Sequence, residues 1–234
     1  MKPPVSLIVF DIAGTTVRDN GEITWAFKKA MRAFGYKIPE EEINPLMGYE
    51  KGEAIRKMLY VHEKDTAIIT PYFIQNIHTR FIQEMVLYYE KTTRLEPLPG
   101  AEKLFQELRY RNIKTALNTG FSKQITDVIL RRLAWLPQQV DYVISSSEVA
   151  KGRPYPYMIQ NLMQQAGVTD AQQVIKVGDT EVDVREGQNA GCLYSIAITT
   201  GAFSHEALEP FHPSFIIDSL AELLAIIENA GAPI

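Results

Sequence analysis

With 234 residues, 46% hydrophobic and 22% charged, the chain carries enough apolar side chains for one large domain or two small ones, in the proportions of an ordinary globular protein. A net charge of −4 and a pI near 5.7 argue against a nucleic-acid binder, and no apolar stretch is long enough to span a bilayer. The N-terminal apolar run is too short for a signal peptide, and the single cysteine, Cys192, has no partner for an internal disulfide, so a cytoplasmic location is expected.

In chain order, the run SLIVF (6–10) reads as a strand buried on both faces, and it leads directly into Asp11. The segment from Glu22 to about Arg94 shows no strand. Helical patterns occupy 23–35, 49–61 and 70–91; in the first, Trp25, Ala26, Ala30, Met31 and Phe34 form the apolar stripe and Gly35 the stop. The prolines of LEPLPG (95–100) end this helical stretch. Helix and strand then alternate: helices at 101–112, 122–133, 156–167 and 181–191, strands at 113–118, 140–146, 173–179, 193–199 and 214–218. Cys192 falls in GCLYSIAI and reads as a small core residue of a strand. The alternation predicts an α/β fold, a parallel sheet with helices on both faces, interrupted after its first strand by an all-helical insert. The core is expected to take residues 1–17 and 95–234 and the insert 18–94, with hinges near 17–21 and 95–100.

Ligands of such sheets bind beyond the carboxyl ends of the strands. Those ends carry Asp11, then Asn118, Thr119 and Gly120, then Gly178, Asp179 and Thr180, with KGRPYP (151–156) following the third strand. Two acids, a hydroxyl beside a glycine amide, and a cation suit a magnesium ion and a phosphoryl group. Each residue also has a plainer reading. Asp11 can be a turn residue, Thr119 the N-cap of the following helix, and Asp183 a first-turn acid favoured by the helix dipole.

The ordered set of DIAGT (11–15), Thr119, GRPYP (152–156) and GDTEVDVREGQNAG (178–191) resembles the haloacid dehalogenase superfamily. The resemblance implies a Rossmann-like three-layer core with an inserted helical cap. It makes Asp11 the nucleophile that forms an aspartyl-phosphate. It places Mg²⁺ on Asp11, Asp179 and the carbonyl of Ala13, with Asp183 steadying that metal site. Phosphate contacts fall to Ala13, Gly14, Thr119, Gly120 and Arg153.

Most phosphatases of the superfamily carry a second aspartate two residues after the nucleophile, as general acid and base. Here that residue is Ala13. The DxAGT loop, Arg153 in the third motif and MGYEK (47–51) look like the phosphonoacetaldehyde hydrolase branch, where a cap lysine forms a Schiff base and no alkoxide leaves. By that resemblance Lys51 is the lysine, Met47 a substrate contact, and the substrate a small phosphonate whose C–P bond is cleaved. The branch's histidine three residues after the lysine is Ala54 here, and its tyrosine after the Thr-Gly pair is Phe121. Lys51 alone reads as a solvated helix lysine, and Met47 as packing. The rival functions are a phosphatase for a small phosphate ester, acting without a Schiff base, and a phosphate-binding regulatory protein without turnover. Family resemblance also suggests a homodimer through the cap; neither nucleic acid nor membrane is an expected partner.

Overall fold

The computed structural model describes residues 5–230; residues 1–4 and 231–234, which the expected core includes, lie outside the described residues. Strand β1 (Leu7–Phe10) is buried along its whole length, with Ile8 and Phe10 in one hydrophobic cluster and Leu7 and Val9 in another. That alternation places β1 in the middle of a sheet covered on both faces.

Five α-helices precede the next strand, and the first four of them make up the insert. These four are α1 (Glu22–Ala33), the short α2 (Glu40–Ile43), α3 (Lys51–His62) and α4 (Pro71–Lys91). Then come α5 (Ala101–Tyr110), β2 (Lys114–Thr119), α6 (Lys123–Leu133), β3 (Tyr142–Ser145), α7 (Tyr157–Ala166), β4 (Val174–Gly178) and α8 (Glu181–Asn189). The chain finishes with β5 (Tyr194–Ile198), α9 (His205–Leu208), β6 (Phe215–Ile217) and α10 (Leu223–Ala230). The six-stranded sheet is parallel with order β3-β2-β1-β4-β5-β6. Residues of α5, α6 and α10 pack on one face and those of α7 on the other, giving the three layers expected. No helix among the described residues is long and apolar enough to cross a membrane.

The strand order fixes where chemistry can occur. The chain leaves β1 toward β2 and β3, then returns to add β4 on the other side, so the switch point lies between the ends of β1 and β4. Asp11 and Asp179 each follow directly on one of these two strands.

The helical insert is tied to the core at both ends of its excursion. The outgoing and returning segments lie antiparallel, with Leu98 N–H donating to Thr16 O (2.8 Å) and Arg18 N–H to Glu96 O (3.1 Å). Within the insert, α1 and α4 pack through the rings of Phe27 and Phe81, 4.4 Å apart. The same apolar cluster runs on through Tyr89 and Phe121 to Ile125 and Ile129 of α6. Trp25 departs from the expected stripe: it is 45% exposed at the edge of α1, with the Lys29 ammonium 4.6 Å over its ring. Cys192 also differs. It lies half-buried in the turn before β5, because Cys192 N–H donates to Gly187 O to close α8 and the strand starts only at Tyr194.

Two glycines let the insert lie close against the core. Gly48, at φ +81°, sits against Thr180 and Val182, and a Cβ on Gly120 would lie 2.5 Å from Tyr49 O and 2.7 Å from Gly48 O. Gly120 does not need a left-handed backbone, so Gly120→Ala tests the contact alone. Overpacking there should destabilise the seated insert by about 1–3 kcal/mol. Trypsin should then cut faster at Arg18 and Arg94, in the two connecting segments. Cleavage at the unsubstituted rate, followed by mass spectrometry, would show that the contact does not hold the insert.

Candidate active site

The polar groups at the switch point are delivered by several different elements. Asp11 N–H donates to Val177 O (2.9 Å), which ties the residue after β1 to the end of β4. Asp179 is held by Ala202 N–H (2.7 Å) and the Thr15 hydroxyl (3.3 Å), with Gly14 and Gly201 leaving no room for a Cβ beside its carboxylate. Helix α8 presents Asp183 and Glu186, three residues apart and so on one face. From the loop between β3 and α7 comes Arg153.

Arg153 joins these pieces. Its guanidinium donates to Asp11 Oδ1 (2.6 Å), to Glu186 Oε2 (3.0 Å), and to both the backbone and side-chain oxygens of Asn118 (2.7 and 2.6 Å), and it lies 2.9 Å from Asp183. A second buried cation, Lys176 on β4, reaches Asn118 Oδ1 and Asp183 Oδ1, both at 2.9 Å. Thr180 donates to the other oxygen of Asp183 at 2.5 Å. Both carboxylate oxygens of Asp183 are therefore engaged by protein groups.

Four buried carboxylates (Asp11, Asp179, Asp183 and Glu186) thus face two buried cations in this network. The imbalance falls unevenly. Burial opposes ionisation of Asp183, but Arg153 and Lys176 outweigh it and hold its carboxyl below the usual range. Burial, with Asp11 and Asp183 nearby, pushes Asp179 well up, and burial raises Asp11 despite Arg153. Two acids at adjacent strand ends and two surplus negative charges are the arrangement a divalent cation would neutralise. Among the described residues no group of three or more acidic, histidine or cysteine side chains is placed to hold a metal. The donor set fits Mg²⁺, which is commonly bound through one or two carboxylates with water and phosphate oxygens completing its shell.

A small cavity of about 20 Å³ opens at the same point. Of the residues singled out in the sequence, Asp11, Ala13, Met47, Lys51, Thr119, Gly120 and Asp179 all line it. Lys51 does not have the surroundings of a solvated lysine. It is 3% exposed, at the first position of α3, with its ammonium 5.6 Å from the Phe27 ring centre and 5.3 Å from that of Phe121. Among the described residues, no carboxylate is within ion-pair distance of it. Burial is the largest influence on its basicity and lowers its pKa to about 8, against the opposing pull of Asp11.

Other expectations shift. Thr119 is not an N-cap, since α6 starts at Lys123 with Ser122 before it; its hydroxyl accepts the Phe121 N–H (3.1 Å). Gly14 has its N–H committed to Val17 O and its carbonyl to the Thr200 hydroxyl, which leaves no amide for phosphate. Its place is to pass close beside Asp179. Met47 both packs in the apolar cluster and lines the cavity. His62 pairs with Glu42 (2.6 Å), outside the cavity lining, and His78 lines a separate cavity of about 630 Å³.

Sequence reading did not single out Lys176, Glu186 or Asp19. Lys176 is the one charged residue of VIKVG, the fourth strand's core, and that break in an apolar run was its available signal. Glu186 was marked by its three-residue spacing from Asp183. Asp19, in the segment leaving the core, also lines the cavity.

Residues 8–197 match the family described as haloacid dehalogenase-like hydrolase. A phosphonoacetaldehyde hydrolase of Latilactobacillus sakei is 30% identical, over 97% of this chain and 89% of its own. The fold is shared with a phosphonoacetaldehyde hydrolase-like protein from Oleispira antarctica (TM-score 0.86, 22% identity, 98% and 93% of the two chains). It is also shared with a putative phosphoglycolate phosphatase from Lactobacillus delbrueckii (TM-score 0.76, 20% identity, 97% and 99%).

The buried network makes a stability prediction. Lys176→Met leaves Asp183 and Glu186 with Arg153 as their only buried cation, a loss of about 3–5 kcal/mol. Urea unfolding should show the midpoint fall with little change in slope. A loss under about 1 kcal/mol would mean that Lys176 is dispensable to the network.

Proposed function

Because the chain belongs to the haloacid dehalogenase-like hydrolases, we propose that it cleaves the C–P bond of a small carbonyl phosphonate such as phosphonoacetaldehyde, with Asp11 and Lys51 as its two nucleophiles. The observation that carries this reading is the place of Lys51: buried between two aromatic rings, without a carboxylate partner among the described residues, in the same cavity as Asp11. A lysine so placed is unusually ready to be a free amine, which is the form that attacks a carbonyl.

In this scheme Lys51 condenses with the substrate aldehyde to give an iminium. The carboxylate of Asp11, aligned by Arg153, attacks phosphorus, and the C–P electron pair passes into the iminium to leave an enamine. Protonation at carbon and addition of water release acetaldehyde and return the lysine. A second water attacks phosphorus of the aspartyl-phosphate, freeing phosphate and Asp11. Because no alkoxide departs, Ala13 in place of an acid is no defect. Asp11, Asp179 and the carbonyl of Ala13 are the residues that would hold Mg²⁺, which when bound offsets phosphoryl charge. Asp183, with both oxygens taken, serves as counterion to Arg153 and Lys176. Thr119 and Gly120 face the phosphoryl oxygens. An open cleft of about 650 Å³ beside the site carries Lys57 and Lys151, which favour approach of an anion, while Arg56 on the same wall is paired with Glu53.

The phosphatase alternative differs in what it requires. It needs a proton donor for the leaving alkoxide, which Ala13 does not supply, and it has no use for an unpaired buried lysine.

The test is a paired assay of phosphate and acetaldehyde from phosphonoacetaldehyde. The expected result is equimolar release that is lost on chelating Mg²⁺ and falls by a factor on the order of 10³ or more in Lys51→Arg. Burial lowers the Lys51 pKa to about 8, with Arg153 acting in the same direction and Asp11, Glu50 and Asp19 opposing it. Since the deprotonated form reacts, kcat/KM should climb as pH rises from about 7 to about 9 and then level. Turnover that survives Lys51→Arg would contradict the Schiff-base route. Phosphate release from esters only would establish the phosphatase.

A further inference from the structure

A lysine condensing with a carbonyl must shed protons and then supply one to the departing oxygen. The two rings beside it cannot do this: Phe121 and Phe27 carry no exchangeable proton, and the residue one turn along α3 is Ala54. The remaining acids around the cavity are mostly committed. Asp11 is held by Arg153 and is needed at phosphorus. Glu50 spends its carboxylate on the Gly52 and Glu53 N–H groups (2.9 and 2.8 Å), capping α3. Asp179 accepts from Ala202 and Thr15.

Asp19 is different. It lines the cavity together with Lys51 and lies close enough for its charge to act on that lysine. Its Oδ1 accepts the Gly21 N–H (2.8 Å), while Oδ2 makes no hydrogen bond among the described residues. It also sits on the outgoing connection between core and insert, so seating of the insert and delivery of this carboxylate go together.

Resting on the Schiff-base reading, we propose that Asp19 is the proton carrier for Lys51, taking the part that neither residue 54 nor residue 121 can play. The carboxylate accepts a proton from the Lys51 ammonium, and the freed amine adds to the carbonyl. The remaining excess proton on nitrogen passes to the alkoxide oxygen, giving a neutral carbinolamine. Asp19 then returns its proton to the hydroxyl, which leaves as water as the C=N bond forms. Ammonium and aldehyde become iminium and water, and Asp19 ends ionised as it began. No other reactant is consumed.

Asp19→Asn separates this role from a structural one, because the amide oxygen still accepts the Gly21 N–H and keeps the turn. Imine formation is read by quenching enzyme and phosphonoacetaldehyde with borohydride at increasing times and measuring the Lys51 adduct by mass. The expected result is adduct formation slowed by about 10²-fold or more in Asp19→Asn, with melting temperature unchanged and partial recovery in Asp19→Glu. His78→Gln, altering an imidazole of α4 on which the charge of Lys51 acts, should form adduct at the wild-type rate. Wild-type rates in Asp19→Asn, or a loss confined to His78→Gln, would overturn the proposal. If the wild type forms no adduct with this substrate, the Schiff-base reading with that substrate fails separately. Reductive alkylation of Lys51 by acetaldehyde then still tests Asp19, and equal rates in wild type and Asp19→Asn overturn its role.

Discussion

The guanidinium of Arg153 has no exposure to solvent, yet it is shared by the end of β1 through Asp11, the end of β2 through Asn118, and α8 through Asp183 and Glu186. Two strand ends and a helix are thereby tied to one another around the Asp11 carboxylate. A buried ion network is seldom a large net source of stability, since desolvation offsets much of the attraction. What it provides is position: the Asp11 carboxylate is pinned through one oxygen, and Lys176 supplies the second charge that lets Asp183 and Glu186 remain buried. With all four carboxylates ionised the network is two positive charges short of balance, and that shortfall is what makes the site a fit for Mg²⁺.

The insert adds what the core lacks. The core brings Asp11, Thr119, Gly120 and Arg153 to the switch point. Lys51 and Met47 arrive from the insert, and Gly48 and Gly120 allow that approach by keeping side chains out of the seam. The rings of Phe27 and Phe121 then strip water from the lysine, lowering its basicity without giving it an ion-pair partner. Fold, seam and lysine chemistry are in this sense one chain of causes.

The sheet and its helices were legible because strands buried on both faces read as short apolar runs and the intervening helices as 3.6-residue stripes. The acids at strand ends were legible because an aspartate directly after such a run has few other reasons to be there. Lys51 was not legible from its own neighbours, which are the charged residues of an exposed helix start; its burial comes from α1 and the loop after β2, distant in sequence. Trp25 misled for a related reason, as its ring serves the edge of the insert and not the core. Lys176 and Glu186 were hidden because strand and helix patterns record where a residue points, not which opposite charge waits there. Asp19 lies in a connection without periodicity, where only the folded cavity shows what it faces.

The central claim is that one small molecule is held by Lys51 and attacked by Asp11. The most direct measurement is the intact mass of the enzyme after incubation with phosphonoacetaldehyde, Mg²⁺ and borohydride, with the modified peptide sequenced. The account predicts a single ethyl adduct on Lys51, the reduced imine of the product aldehyde, formed only when Asp11 is intact; Asp11→Asn should instead trap the phosphonoethyl group. An unmodified Lys51 in an enzyme that still releases phosphate from phosphonoacetaldehyde would contradict it.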